Sequence, residues 1–236
     1  MSSKLLTKRF YIVLWICCII GSWAVFPYIY FLNILPSSIP LGKLFILITT
    51  QAAILYGIVC WLIYLLIPKT DLRPFSHAKV LSRIVYPALL CGMLVGLIIF
   101  VLDKTVFHNS IVTNIHPPLW SGALASIYGA INEEVLLRLF LFTLIYFLLI
   151  KSFKKTGKYR SLLLWVTTVI VAIIFGLGHL PVAFRMSSPS GFEIFRIFLL
   201  NAIPEIVFGW LYWTRGFFAP VLAHFVADLL IHVILI

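Results

Sequence analysis

Apolar runs long enough to cross a lipid bilayer constrain this chain more than any other feature of its sequence. A spanning helix needs about 20 apolar residues, and it must satisfy its own backbone because the bilayer core offers no water. Parsed at that length, the sequence predicts seven spans, at approximately 10–31, 44–67, 84–102, 118–150, 161–180, 196–214 and 217–236. Only 11% of the residues are charged and 63% are hydrophobic, where a soluble domain carries about a quarter charged. The expected fold is all-α: a polytopic integral membrane bundle of about seven transmembrane helices, forming one transmembrane domain over 1–236. The opening MSSKLLTKR leads into the first run without a small-residue cleavage site, so that run reads as a membrane helix and not a removed signal. Gly92 and Gly96 make a GxxxG pattern of the ordinary helix-packing kind.

A net charge of +11 raises the possibility of a nucleic-acid partner, but the placement of the charge argues against one. Lys and Arg sit in short segments at the ends of the apolar runs, as orientation by positive loops requires. With the N-terminus inside, the inner segments hold Lys4, Lys8, Arg9, Lys69, Arg73, Lys79, Arg83, Lys151, Lys154, Lys155, Lys158, Arg160 and Arg215. The outer segments hold Lys43, Lys104, Arg185 and Arg196, which is thirteen cations against four. The expectation is a multi-pass cell-membrane protein with a cytoplasmic N-terminus, the lipid bilayer as a partner and no nucleic acid. Cys17, Cys18, Cys60 and Cys91 all fall in apolar segments, without metal or disulfide spacing.

The acids are distributed against expectation. Of seven, Asp71, Asp103 and Glu193 fall in loops, while Glu133, Glu134, Glu205 and Asp228 fall within spans. His179, His224 and His232 also lie in spans or at their ends. A charge at the middle of a membrane helix costs roughly 2.5–3.5 kcal/mol, and such groups mark functional sites by default. In the fourth span Glu134 and Arg138 stand four apart, on one helix face and in the favourable order for an ion pair. That leaves Glu133, about 100° around the helix, without a local counter-charge, and a poorly solvated carboxylate suits a general base working near neutral pH. The plainer alternative is that all three form a network locking helices together.

Two other spans direct polar groups inward. The fifth ends FGLGHLP, with His179 at its terminus and glycines at 176 and 178 permitting close approach. The basic loop 151–160 makes spans four and five a hairpin, with Glu133 18 residues before Lys151 and His179 18 residues after Ser161. Both therefore lie about 27 Å from the turn, level with each other and able to hold a water between them. The last span places His224, Asp228 and His232 on one stripe at intervals of four. Asp228 can fix the tautomer of His224, or both can hydrogen-bond a substrate carbonyl, while His232 reads as interfacial. Counting from Arg215, however, sets His224 only about 14 Å from the inner edge, shallower than Glu133. Zincin, nucleophile-elbow, phosphate-loop, dinucleotide and calcium motifs are absent from the sequence.

Three motifs now stand in order: EExxxR at Glu133–Arg138, FxxxH at Phe175–His179 and HxxxD at His224–Asp228. Together they resemble the CPBP (Abi) family of intramembrane proteases, which includes the CAAX prenyl endopeptidases and bacteriocin-processing or immunity proteins. The stretch GWLYWTRGFFAPVLAH, 209–224, looks like the approach to that family's last motif. The resemblance covers roughly 118–236, while 1–117 carries none of the signature. It implies that Glu133 and His179 activate a water for peptide hydrolysis. It also implies that His224 and Asp228 stabilise the oxyanion or position substrate, with Glu134 and Arg138 in support. Two positions depart from the pattern: the last motif ends in Asp where the founding enzymes carry Asn, and Leu139 stands where Gly is usual. Glu205 has no counterpart in the family pattern.

The expected function is an intramembrane endopeptidase acting on a membrane-associated peptide or protein. The alternatives are a non-catalytic immunity or scaffold member, or a proton-coupled transporter, for which the inverted repeats are missing. Zinc held by Glu133, His179 and His224 is possible in principle. Since the three come from separate helices without ligand spacing, a metal-free water activated by Glu133 is preferred.

Overall fold

The computed structural model describes residues 8–36, 38–75, 82–108, 117–153, 157 and 159–235. Lys4, Lys79, Lys154, Lys155 and Lys158, counted above among the inner cations, lie outside the described residues. Among the described residues the regular structure is helical throughout, as the apolar runs require. Six helices are long and apolar enough to cross a membrane, and a shorter apolar helix, Phe218–Ile234, stands where the seventh span is expected.

In chain order, α1 is Lys8–Phe31, α2 Leu41–Leu66 and α3 Ser82–Thr105. The fourth span is one 34-residue rod, Leu119–Ser152. It comprises α4 (Leu119–Tyr128), π-helical stretches at Gly129–Glu133 and Val135–Phe142, and α5 (Thr143–Ser152). Next come α6 (Arg160–Gly178), the short α7 (Leu180–Met186), α8 (Gly191–Arg215) and α9 (Phe218–Leu229), which ends in a π-helical turn, Leu230–Ile234. Pro40 and Pro118 cap the starts of α2 and α4, where a missing N–H costs nothing. α8 begins with a reciprocal capping box between Ser190 and Glu193. It stops at Gly216, whose φ of 89° a side chain would resist.

α3 lies along α9, α6 along α8, and α1 along both α2 and α4. Lipid is as apolar as leucine, so helices in a membrane are held by close packing more than by hydrophobic exclusion. Small residues supply that closeness here: a Cβ on Gly92 would stand 2.4 Å from the Ala223 carbonyl oxygen, and one on Gly96 3.0 Å from Leu230. The GxxxG pair is thus the seat of α9 on α3. In the fifth span Gly176 lies under Phe198, whereas Gly178 faces open space and supports no close approach.

Two apolar clusters result. One joins α1, α2 and the rod through Tyr11, Tyr56, Val135, Phe142 and Tyr146. The other joins α3, α8 and α9 through Ala88, Val95, Phe208, Ala219 and Ala223. Glu134 immediately precedes Val135 of the first cluster, and His224 immediately follows Ala223 of the second. The polar residues sit on that seam.

Candidate active site

Glu133, Glu134 and Arg138 occupy the part of the rod where α-helical bonding gives way to i→i+5 bonding. Such π-helical turns widen a helix and turn its later residues relative to an ideal α-helix, and they recur at functional sites. Here both adjacent carboxylates meet the same imidazole. The Nδ1–H of His224 donates to Glu134 Oε1 at 2.9 Å. Its Nε2 lies 3.6 Å from Glu133 Oε2 and 3.5 Å from Asp228 Oδ2, both longer than a good hydrogen bond. The sequence leaves Asp228 either to fix the tautomer of His224 or to hydrogen-bond a substrate carbonyl with it; in the structure Glu134 is the carboxylate within bonding distance of Nδ1. The ring of Phe208 covers the imidazole at 5.1 Å between centroids.

Glu134 is itself held. Arg138 donates from Nε to Glu134 Oε2 at 2.9 Å, and its two terminal nitrogens meet the two oxygens of Glu205 at 2.6 Å each. Arg138, Glu134 and Glu205 are all fully buried. A guanidinium fork has five donors and accepts carboxylates in pairs. Glu205 on α8, unassigned from the sequence, is therefore the second acid on Arg138. Two clues to it were present: Arg138 has more donors than one carboxylate can fill, and Glu205 has no base within four residues on its own span. From Glu205 through Arg138 and Glu134 to His224, a continuous chain of charge-assisted contacts crosses three elements.

Accessibility separates the carboxylates. The Glu133 side chain is 24% exposed and that of Asp228 18%, while Glu134 shows nothing. Glu133 and Asp228 are the two that an incoming group can reach. Gly129 keeps the space for them: a Cβ there would stand 2.4 Å from Asp228 Oδ2 and 3.0 Å from His224 Nε2. Asn132, next to Glu133, is buried and donates from Nδ2 to the Cys18 carbonyl at 2.7 Å and to Ser22 Oγ at 3.0 Å. Helix α1 thereby grips the segment that presents Glu133, a link with no signal in any motif.

His179 stands at the junction of α6 and α7. Its Nδ1–H donates to the Phe175 carbonyl at 3.0 Å, which leaves Nε2 as the free ring nitrogen of the neutral form. No hydrogen bond or ion pair joins it to Glu133 among the described residues. His232, expected at the interface, instead meets the Tyr28 hydroxyl of α1 at 3.1 Å. The apparent mismatch in depth between His224 and Glu133 also has an explanation. The turn after α8 is covered by protein, with Phe217 4% exposed and its N–H donating to the Pro74 carbonyl at 2.7 Å. Counting residues from Arg215 therefore does not measure distance from a membrane surface.

Glu133, His179 and His224 offer ligand chemistry that suits zinc. Among the described residues, however, no three His, Cys, Asp or Glu side chains converge on one point as a metal needs. The side chains as placed do not fit a metal centre.

A bundle of membrane-crossing helices with reachable carboxylates around a fixed imidazole defines the class: a polytopic membrane protein with an ionisable site between its helices. Residues 115–230 match the model of the family described as type II CAAX prenyl endopeptidase Rce1-like. That segment, which holds every member of the cluster, is similar to this family of CAAX-type intramembrane endopeptidases. No curated protein and no solved structure matches the chain.

Proposed function

We propose that the chain hydrolyses a peptide bond of a membrane-associated peptide or protein, with Glu133 as the general base. The observation that carries this reading is the 3.6 Å separation between Glu133 Oε2 and His224 Nε2. One water can touch both atoms at about 2.8 Å each. Glu133 accepts a proton from that water as its oxygen bonds to the scissile carbonyl carbon, and then delivers the proton to the departing amine nitrogen. His224 in its imidazolium form presents Nε2–H to the developing oxyanion, fixed in orientation by Glu134 at Nδ1 and aided by Asp228. His179, with Nε2 free, is the second partner for the water. Glu134 and Arg138 are positioning residues, joined in that role by Glu205. The water is activated without metal, in keeping with the placement of Glu133, His179 and His224. The basic end of the bundle faces the cytoplasm, by the distribution of Lys and Arg.

Similarity to the CAAX prenyl endopeptidase family over 115–230 selects the first substrate to try. Purified protein incubated with a farnesylated CAAX peptide should release the terminal tripeptide, and Glu133→Gln should not. Cleavage that persists in Glu133→Gln would remove Glu133 from the chemistry. Binding of the peptide without cleavage by the unmodified chain would favour a non-catalytic member of the family.

A further inference from the structure

At one end of the bundle a cavity of about 520 Å³ opens between Arg73, Pro74, Arg160, Tyr212, Trp213 and Gly216. It shares no residue with the Glu133–His224 cluster and lies where the segments after α2, α5 and α8 meet. Its one acid, Asp71, is already engaged: it accepts from Tyr146 Oη at 2.8 Å and from Arg160 Nε. Arg160 gives only Nε–H to that contact and keeps its terminal N–H groups. Arg73 has no carboxylate partner among the described residues. The walls therefore hold more guanidinium donors and positive charge than their one carboxylate can use.

The position of the cavity narrows the occupant. It opens at the end of the bundle that holds Lys8, Arg9, Lys69, Arg73, Arg83, Lys151, Arg160 and Arg215, where Asp71 is the one acid among the described residues. Tyr and Trp beside basic side chains mark the level of lipid headgroups. Guanidinium forks match phosphate oxygens in pairs, and a volume of this size is that of a small-molecule site.

We propose that this cavity binds the phosphate of an anionic phospholipid headgroup, held by Arg73 and the free donors of Arg160. The site is independent of the proteolytic reading and stands or falls without it. The test uses the full chain purified in a neutral detergent, titrated with phosphatidylglycerol, phosphatidylcholine or inorganic phosphate. Binding is followed by tryptophan fluorescence and by lipid retention in native mass spectrometry. Phosphatidylglycerol should bind at least tenfold tighter than phosphatidylcholine. Arg73→Gln, a change at an exposed position that should leave the thermal midpoint in place, should weaken phosphatidylglycerol at least tenfold. Lys151→Gln, which removes a charge at the same end but outside the cavity, should change it less than threefold. Equal binding of the two lipids, or equal losses in the two variants, would overturn the site in favour of diffuse surface charge. Inorganic phosphate that displaces phosphatidylglycerol at equal concentration would overturn the lipid assignment.

Discussion

Arg138 is the residue on which the others depend. It neutralises Glu134 from its own helix and Glu205 from α8, in full burial. Removing one partner of a buried ion pair costs about 3–5 kcal/mol, because the remaining charge is left without compensation. Arg138→Leu leaves two such carboxylates, so the thermal midpoint in detergent should fall far more than in Glu133→Gln, which touches neither pair. Equal midpoints would show that the fork does not hold the bundle together. Glu205→Gln should fall between them, since Gln keeps one acceptor for the guanidinium and gives up only the charge. Arg138→Lys should not rescue: a single ammonium cannot reach two carboxylates with a planar fork.

At the scale of elements, the site depends on how closely the rod approaches α9. Gly129→Ala should abolish peptide cleavage while shifting the thermal midpoint little, since the atom nearest its Cβ is the terminal Oδ2 of the partly exposed Asp228. Unchanged kcat in that variant would mean that neither side chain has to occupy its observed position. A second element-level contact lies outside the membrane spans. Burial alone would raise the Asp71 carboxyl, but bonds from Arg160 and Tyr146 and the Arg160 charge bring it below its ordinary value of 3.8. A carboxyl lowered in the folded state stabilises at pH above its unfolded value and loses that contribution as pH falls through the folded one. Between pH 6 and pH 3 the midpoint of the parent chain should therefore drop more than that of Asp71→Asn. The difference should be small, because both partners are about two-fifths exposed. Parallel curves would show that the tie contributes nothing.

The same elements show what was legible in the sequence. Apolar length gave the helices, because a bilayer permits little else, and the i,i+4 spacing gave the Glu134–Arg138 pair. The contact of Glu134 with His224 was hidden, because it depends on π-helical turns that apolar periodicity does not register. Glu205 on Arg138 and Asn132 on α1 were hidden for another reason. Their partners lie 67 residues away in one case and 114 and 110 in the other, and no local pattern encodes which helices become neighbours.

For the whole molecule, the metal-free hydrolysis proposed above is tested by chelation. If Glu133 and His224 hold a bare water, dialysis of the purified enzyme against a strong chelator should leave cleavage of the CAAX peptide unchanged within about twofold. A reversible loss restored by zinc, with stoichiometric metal that disappears in His179→Ala, would reassign the same side chains as ligands, since metal binding is linked to deprotonated ligands and is reversed by chelation. The thermal midpoint gives a second readout: a structural or catalytic zinc should lower it on removal, and a bare water should not.

The fork on Arg138 also has a consequence in time. Glu205 is synthesised 67 residues after Arg138, a delay of roughly 3–13 s at 5–20 residues per second. Over that interval Glu134 is the one acid that the fourth span itself offers Arg138, so this pair must offset the arginine's charge alone. Glu205 then arrives on the least apolar of the six long helices, with a hydropathy of 1.6, its carboxylate not yet claimed. The contact that completes the fork is thus available only once α8 is in place. A chain halted before α8 differs from a finished one by an arginine whose two terminal nitrogens lack their carboxylate inside the membrane, a polar flaw that marks an unfinished bundle.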